Sequence, residues 1–376
     1  MKFTIFFSLI IFTSNLWAGP REQAYRLHNR IVGVPPQKVV LDEMENLIRA
    51  GKPKMAAYLA MNNPKFYNST IKNWVKPWTN EQISRRVPLN DYVATVIGMV
   101  RDGVPFDQVL YGDILYAADD SFFDGENDDH SASSNRHYEK LENDNVNLFQ
   151  VLQRRNVSQE HGIDDVGGVL VSRAAAMAFF DAGTNRAMTR FTFMNFMCKD
   201  FEELHDVNVP DYRVRRDVSR APGGDSRVYR NKCVGCHAGQ DALGGAFAYF
   251  NWDGSKIIYT DMQVANKINQ IVNFPDGHVV TDDYWINLWA QGQNANLGWR
   301  GEMQGYGVNA FGKMIAHSKA FANCMSNKTF ELFCHKTAST ATEKTLVETL
   351  ARNFEANAAY DIKELMASSA ISCLGD

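Results

Sequence analysis

Residues 233 to 237 read Cys233-Val234-Gly235-Cys236-His237, and this C-x-x-C-H run occurs once in the chain. Two thiols at this spacing reach the two vinyl groups of one porphyrin. The histidine that follows is carried under the ring, where its imidazole binds the iron from the proximal side. The run points to one covalent haem c, held by Cys233 and Cys236, with His237 as the first axial ligand. Other chemistries also use two such cysteines. Zinc normally wants a second close ligand pair, and the nearest analogue, Cys334-His335, lacks the tight spacing. A thioredoxin-like redox pair needs a strand before it and a helix opening on it. Here the preceding stretch is the loop Ala221-Pro222-Gly223-Gly224-Asp225. A disulfide between the two cysteines has poor geometry unless the loop is built for it.

The second axial ligand decides what such a haem does. Methionine raises the potential and closes the iron, whereas an open position permits catalysis. Met303 is the expected sixth ligand. Among the downstream methionines it alone sits in a glycine-rich, non-helical stretch, Gly301-Glu302-Met303-Gln304-Gly305-Tyr306-Gly307. Met262, Met314, Met325 and Met366 fall in predicted helices, and His278 and His317 are the histidine alternatives. Ahead of the motif lie Arg213, Arg215, Arg216, Arg220, Arg227, Arg230 and Lys232. This basic collar, with Arg230 and Lys232 nearest the motif, suits haem propionates or the docking of an acidic redox partner. A solvated linker with one or two propionate contacts is the plainer reading.

The elements that must hold these residues read as mainly α. Val39 to Ala50 places Val40, Met44, Leu47 and Ile48 on one face. Asn90 caps a predicted helix that ends near Gly103. Further helices are expected at Phe106–Ala117, Arg136–Gln153, Gly168–Phe180 and Asn185–Leu204, the last two rich in Met and Phe. After the motif, Ala246–Phe250 and Lys256–Thr260 flank Asn251-Trp252-Asp253-Gly254-Ser255, a hairpin signal. Helices are then expected at Met262–Val272, Thr281–Ala290, Val308 to about Cys334, Glu343–Phe354 and Asp361–Ser372, with a capping box at Thr340 and Glu343. The acidic stretch Asp119 to His130 has Phe122 and Ser131 where a calcium loop needs oxygen ligands, and it reads as a solvated surface loop.

Composition sets the frame. The chain has 376 residues, 45% hydrophobic and 22% charged, with a net charge of −4. That balance fits a globular protein and argues against nucleic-acid binding. Met1-Lys2, the apolar run Phe3 to Phe12 and the small residues Ala18-Gly19 look like a secretory signal. Export to the periplasm or cell envelope agrees with haem being attached after translocation, and no transmembrane span is expected after the signal. Of six cysteines, Cys198, Cys324, Cys334 and Cys373 remain after the motif, an even number for an oxidising compartment. Cys324 and Cys334 share a predicted helix, about 15 Å apart, so they do not bond to each other. Two pairings remain, Cys198–Cys324 with Cys334–Cys373 or the crossed one, and four free buried thiols are the alternative. The expected organisation is a signal over 1–18, a helical N-terminal domain over 19–206, a basic linker over 207–231, a mostly helical cytochrome c-like domain with a small β-hairpin over 232–320, and C-terminal helices over 321–376.

Three segments resemble bacterial cytochrome c-domain proteins of the planctomycete type, a group whose biochemical role is not established. Phe106 to Asp113 is similar to the element F-x-x-L-L-T-A-D-Y. Asn208-Val209-Pro210 through Cys233 to Gly244 is similar to a segment ending C-x-x-C-H-x-x-M-D-P-L-G, with Gln240 and Ala242 standing in for methionine and proline. Ala310 to Cys324 is similar to the C-terminal pattern L-A-x-x-L-x-x-S-x-x-F-x-x-C. The resemblance implies an envelope haem protein, and its cysteine near Cys198 favours a Cys198–Cys324 bridge. One haem with no second redox centre suggests a carrier of single electrons. An enzyme with an open iron, peroxidase- or oxygenase-like, is the alternative, followed by an assembly or sensor module with structural haem. No Ser-His-Asp set, phosphate loop or carboxylate pair stands out, and no catalytic residue is assigned.

Overall fold

The computed structural model describes residues 18–123 and 128–374. The expected export signal therefore falls outside the described residues, as do Asp124 to Asn127 of the acidic loop. The chain is mainly helical, with three small two-stranded antiparallel sheets among the described residues.

Three N-terminal helices, Pro20–Val32, Lys38–Arg49 and Pro53–Met61, pack on one another, and the C-terminal helix Ile362–Ile371 closes over them. Proline opens the first and third, where its missing N–H costs nothing. The central helix Asp91–Asp102 is buried from Asp91 to Val100. Asn90 Oδ1 accepts from Val93 N at 3.0 Å, and Gly103 takes the left-handed conformation that ends it. Thr340 and Glu343 form the expected capping box on Ala341–Ala356.

Other predicted helices take a different form. Phe106–Ala117 is a short 3-10 turn, Phe106–Leu110, followed by the strand Leu115–Ala118, which pairs with Leu152–Arg155. All four residues of that first strand are buried, so it lacks the alternation by which a strand is recognised. Arg136–Gln153 breaks after Asn143, with Asn145 in the left-handed region. Gly168–Phe180 holds the helix Arg173–Phe179, and Asn185–Leu204 holds Arg186–Phe196. Thr281–Ala290 contains the strand Tyr284–Ile286, paired with Gln304–Tyr306. Its Tyr-Trp-Ile sequence favours a pleated surface. Met262–Val272 keeps one turn, Asn266–Ile268, and Met262 is 82% exposed. The hairpin is present as Phe250–Trp252 paired with Ile257–Tyr259. Past it, Val308–Cys334 splits into Gly307–Ala316 and Lys319–Cys334, because Ser318 Oγ accepts from Phe321 N and caps the second helix.

The main hydrophobic cluster draws on residues from Ala24 to Ala370, with two small satellites around Tyr249 and Phe330. Residues 207–231, expected as a solvated basic linker, contribute Val209, Val214 and Val218 to it, and Arg215 is 1% exposed. The segment is irregular yet woven into the core. Cys198 pairs with Cys324 and Cys334 with Cys373, at Cα separations of 5.2 and 5.4 Å. Among the described residues no helix is long and apolar enough to cross a membrane.

Glu142 ties three segments of the N-terminal half. It accepts from Lys72 Nζ at 2.8 Å, Lys76 Nζ at 2.6 Å and the Leu89 amide at 2.6 Å. Burial alone would raise its carboxyl, but these donors bring it down from 4.5 to about 2. A shift of that size corresponds to roughly 3 kcal/mol, reduced to about 2 kcal/mol by partial exposure. Because the folded value is depressed, this stability is present above pH 4.5 and is lost as pH falls toward 2. Glu142→Gln is expected to destabilise by about 2 kcal/mol at neutral pH, with the gap to the parent closing over that window in urea unfolding curves. A gap that stays constant down to pH about 2.5 would refute this.

Candidate haem site

The motif lies on the helix Val234–Leu243, entered through a wide π-type turn, Tyr229–Cys233. At about 100° per residue, Cys233, Cys236 and His237 share one face, since they stand at positions i, i+3 and i+4. The opposite face is packed tight. A Cβ on Gly235 would lie 2.7 Å from the His205 ring, and one on Gly239 would overlap the Trp289 indole. Glycine at both positions lets the helix sit against the core and turns the motif face outward.

Both motif cysteines are free thiols and half-buried, while the other four cysteines are paired. Cys236 Sγ donates to the Phe201 carbonyl at 3.4 Å, and burial, with Glu202 and Asp200 nearby, pushes this thiol up. The zinc alternative loses its second ligand pair, because Cys334 is bonded to Cys373. Among the described residues no three or more His, Cys, Asp or Glu side chains gather on a metal position. A haem iron needs only one ligand of this kind, since the porphyrin supplies four nitrogens.

The His237 side chain is 27% exposed, and its Nδ1 is turned inward, buried and without a hydrogen bond, 3.7 Å from Asp241 Oδ2. The Asp241 side chain is fully buried. It accepts from Arg186 Nε at 2.6 Å, Arg186 Nη2 at 2.9 Å and the Arg215 amide at 3.0 Å. Burial would raise this carboxyl, but Arg186, His237 and Arg215 hold it far below the usual carboxylate range. Arg186 also pairs with Asp217, its Nη2 lying 2.8 Å from Oδ1. Arg215 donates from Nη1 to the Thr184 carbonyl at 2.7 Å, and burial pushes it down to about 10. Sequence reasoning missed this network. Its one local sign is the four-residue step from His237 to Asp241 on a helix.

A cavity of about 820 Å³ opens on the flank of the motif helix, a size that suits a cofactor. Val209, Pro210, Tyr229, Val234 and Phe274 give it apolar walls, and Arg220, Arg230 and His278 line it. The Arg220 guanidinium lies 4.9 Å from the Tyr229 ring and 4.6 Å from the Phe274 ring. His278 Nε2 accepts from Arg213 Nη1 at 3.0 Å, and burial beside Arg213 and Arg215 lowers its value to about 4. The ring is therefore neutral. Arg230 and Lys232 are exposed, and neither meets an acidic partner among the described residues. Asp211 and Asp276 also line the cavity and balance its two arginines, and the three motif side chains lie outside its walls. An orphaned imidazole nitrogen and two free thiols on one face suit a covalent haem.

Met303, the expected sixth ligand, packs beside Asn287. Its sulfur is 3.7 Å from Asn287 Nδ2, which also approaches Met314 Sδ at 3.5 Å, and its carbonyl accepts from the Asn287 amide at 2.7 Å. Asn287 Oδ1 in turn accepts from the Trp289 amide at 3.0 Å, and the Trp289 indole covers Gly239. Met303 is thus linked through Asn287 and Trp289 to the Gly239 side of the motif helix. The structure brings together Cys233, Cys236, His237 and Asp241, with Arg230 and His278 at the adjoining cavity. No protein-family model, curated protein or solved structure matches the chain.

Proposed function

We propose that the chain is an exported, single-haem c-type cytochrome that passes one electron at a time. Cys233 and Cys236 would hold the porphyrin and His237 would bind its iron. The observation that carries this reading is the sorting of six cysteines: four are tied in two disulfides, and the two left free share one exposed helix face with His237. Bound haem supplies the one-electron couple. The chain's part is to seat it, with the exposed Arg230 and Lys232 offered to its propionates or to an acidic partner, since Arg220 is engaged by three backbone carbonyls. The two disulfides agree with export to an oxidising compartment such as the periplasm. The sequence likeness to the planctomycete-type cytochrome c-domain proteins points the same way.

For the sixth ligand, the cavity favours His278 beside the sequence expectation, Met303. Of the donors weighed, His278 shares the cavity with Val234, and Met303 does not. Its Nε2 lone pair already faces one cation, Arg213, so iron would replace a guanidinium. The test is the visible spectrum of protein made with haem-maturation machinery: oxidised, reduced, and reduced under carbon monoxide. A c-type spectrum indifferent to carbon monoxide is expected. Met303→Leu should leave it unchanged, and His278→Ala should open the iron to carbon monoxide. A parent spectrum that shifts with carbon monoxide would instead favour the open-iron enzyme. A parent without covalent haem would end the cytochrome reading.

A further inference from the structure

We infer that Asp241 is the positioning residue of the axial histidine: its carboxylate accepts a hydrogen bond from His237 Nδ1 and lowers the reduction potential of the haem. This rests on the haem reading above and adds to it what sets the potential. An Arg186–Asp241 ion pair explains why a carboxylate is buried here, but it leaves the imidazole unexplained. His237 turns Nδ1 inward, where that atom is buried and has no other partner, 3.7 Å from Asp241 Oδ2. A buried ring nitrogen left unpaired carries a desolvation cost. A small rotation of a partly exposed side chain onto the Asp241 carboxylate, 3.7 Å away, removes that cost. With the proton on Nδ1, the lone pair on Nε2 is free and faces away from the core.

The carboxylate is fixed from its other side. Arg186 grips both oxygens, at 2.6 and 2.9 Å, and the Arg215 amide holds Oδ2 at 3.0 Å. It cannot swing away from the ring. Metal-bound histidines commonly donate their second nitrogen to a carboxylate, which fixes the tautomer and makes the ligand more basic. A more basic ligand stabilises ferric over ferrous iron. Arg186 and Asp217 temper this by sharing the charge, so the effect is a tuning of the couple rather than a full transfer of the proton.

An equilibrium redox titration of the haem-loaded protein tests the inference. Asp241→Asn keeps the shape of the side chain and removes its charge. It is expected to move the ferric–ferrous equilibrium at least tenfold toward ferrous, an upward shift of about 59 mV or more for one electron. Asp241→Glu should fall between the two. Haem-loaded Asp241→Asn with the parent's potential would overturn the inference. Should the variants not fold, long-range proton–nitrogen NMR of the parent chain decides. His237 protonated on Nδ1 supports the inference, and His237 protonated on Nε2 overturns it. The tautomer is readable in the chain without haem, so a failure to load haem counts against the cytochrome reading and leaves this result standing on its own.

Discussion

Protein carrying Cys233→Ala and Cys236→Ala, made alongside haem-maturation machinery, is expected to lose covalent haem altogether. Each thioether forms when a cysteine S–H adds across a porphyrin vinyl group. The sulfur–carbon bond forms, the hydrogen goes to the neighbouring carbon, and no oxidant is consumed. With both thiols gone no such bond exists, so haem staining after denaturing electrophoresis should fall to background, more than tenfold below the parent. Each single variant should keep one thioether and a detectable stain. His237→Ala should keep attachment sites but lose the strong-field spectrum, because the proximal nitrogen is the chain's own contribution to the iron. The fold should tolerate these changes. Both thiols are half-buried on the open face, and the tight contacts of this helix are made by Gly235 and Gly239 instead. Far-ultraviolet circular dichroism matching the parent would show that. Zinc bound at stoichiometric level by the parent, with no haem stain, would reverse the assignment.

Why this motif was legible while much around it was not comes down to range. Cys233, Cys236 and His237 act within five residues, and helical spacing alone puts them on one face. Helix caps are equally local: Asn90, Thr340 with Glu343, and Asp361 each bond amides two or three residues ahead, and each marks a helix start where expected. The strand Leu115–Ala118 failed as a sequence signal because it is buried on both faces and shows no alternation. Tyr284–Ile286 depends on a partner strand about twenty residues on, Gln304–Tyr306, which no local pattern announces. Arg215 reads as one more solvated cation in a basic run. It is buried because Asp241 and Thr184, 26 and 31 residues away, come to meet it. The loop containing Met303 was correctly placed outside a helix, yet which side of the motif helix it covers is set by Trp289 and Asn287. That is tertiary information.

Arg186→Met should be among the most destabilising single substitutions in the chain, by about 3–5 kcal/mol at neutral pH, because it strands a buried carboxylate rather than merely deleting a bond. Arg186 binds two acids at once, Asp241 at 2.6 and 2.9 Å and Asp217 at 2.8 Å. The Asp241 side chain has no exposure at all. Arg215 remains nearby, but only its amide reaches the carboxylate; its guanidinium donates from Nη1 to the Thr184 carbonyl, while Nε and Nη2 have no partner and its charge acts on Asp241 from a distance. The pH dependence separates this account from simple loss of packing. In the parent, the Asp241 carboxyl is depressed in the folded state, so its stability is present above the ordinary carboxylate range and is lost as pH falls. Without Arg186 the folded value rises, because burial is then opposed only by Arg215 and His237, so the variant loses less than the parent on the way down. The two unfolding curves should therefore converge as pH falls below about 4, whereas a cavity penalty would not move with pH. Adding Asp241→Asn to Arg186→Met should recover a large part of the loss, a coupling that a double-mutant cycle in urea reads directly. A single variant within about 1 kcal/mol of the parent, or a double variant no better than the single, would mean that the pair is not the strut between the motif helix and the helix Arg186–Phe196 that its burial indicates.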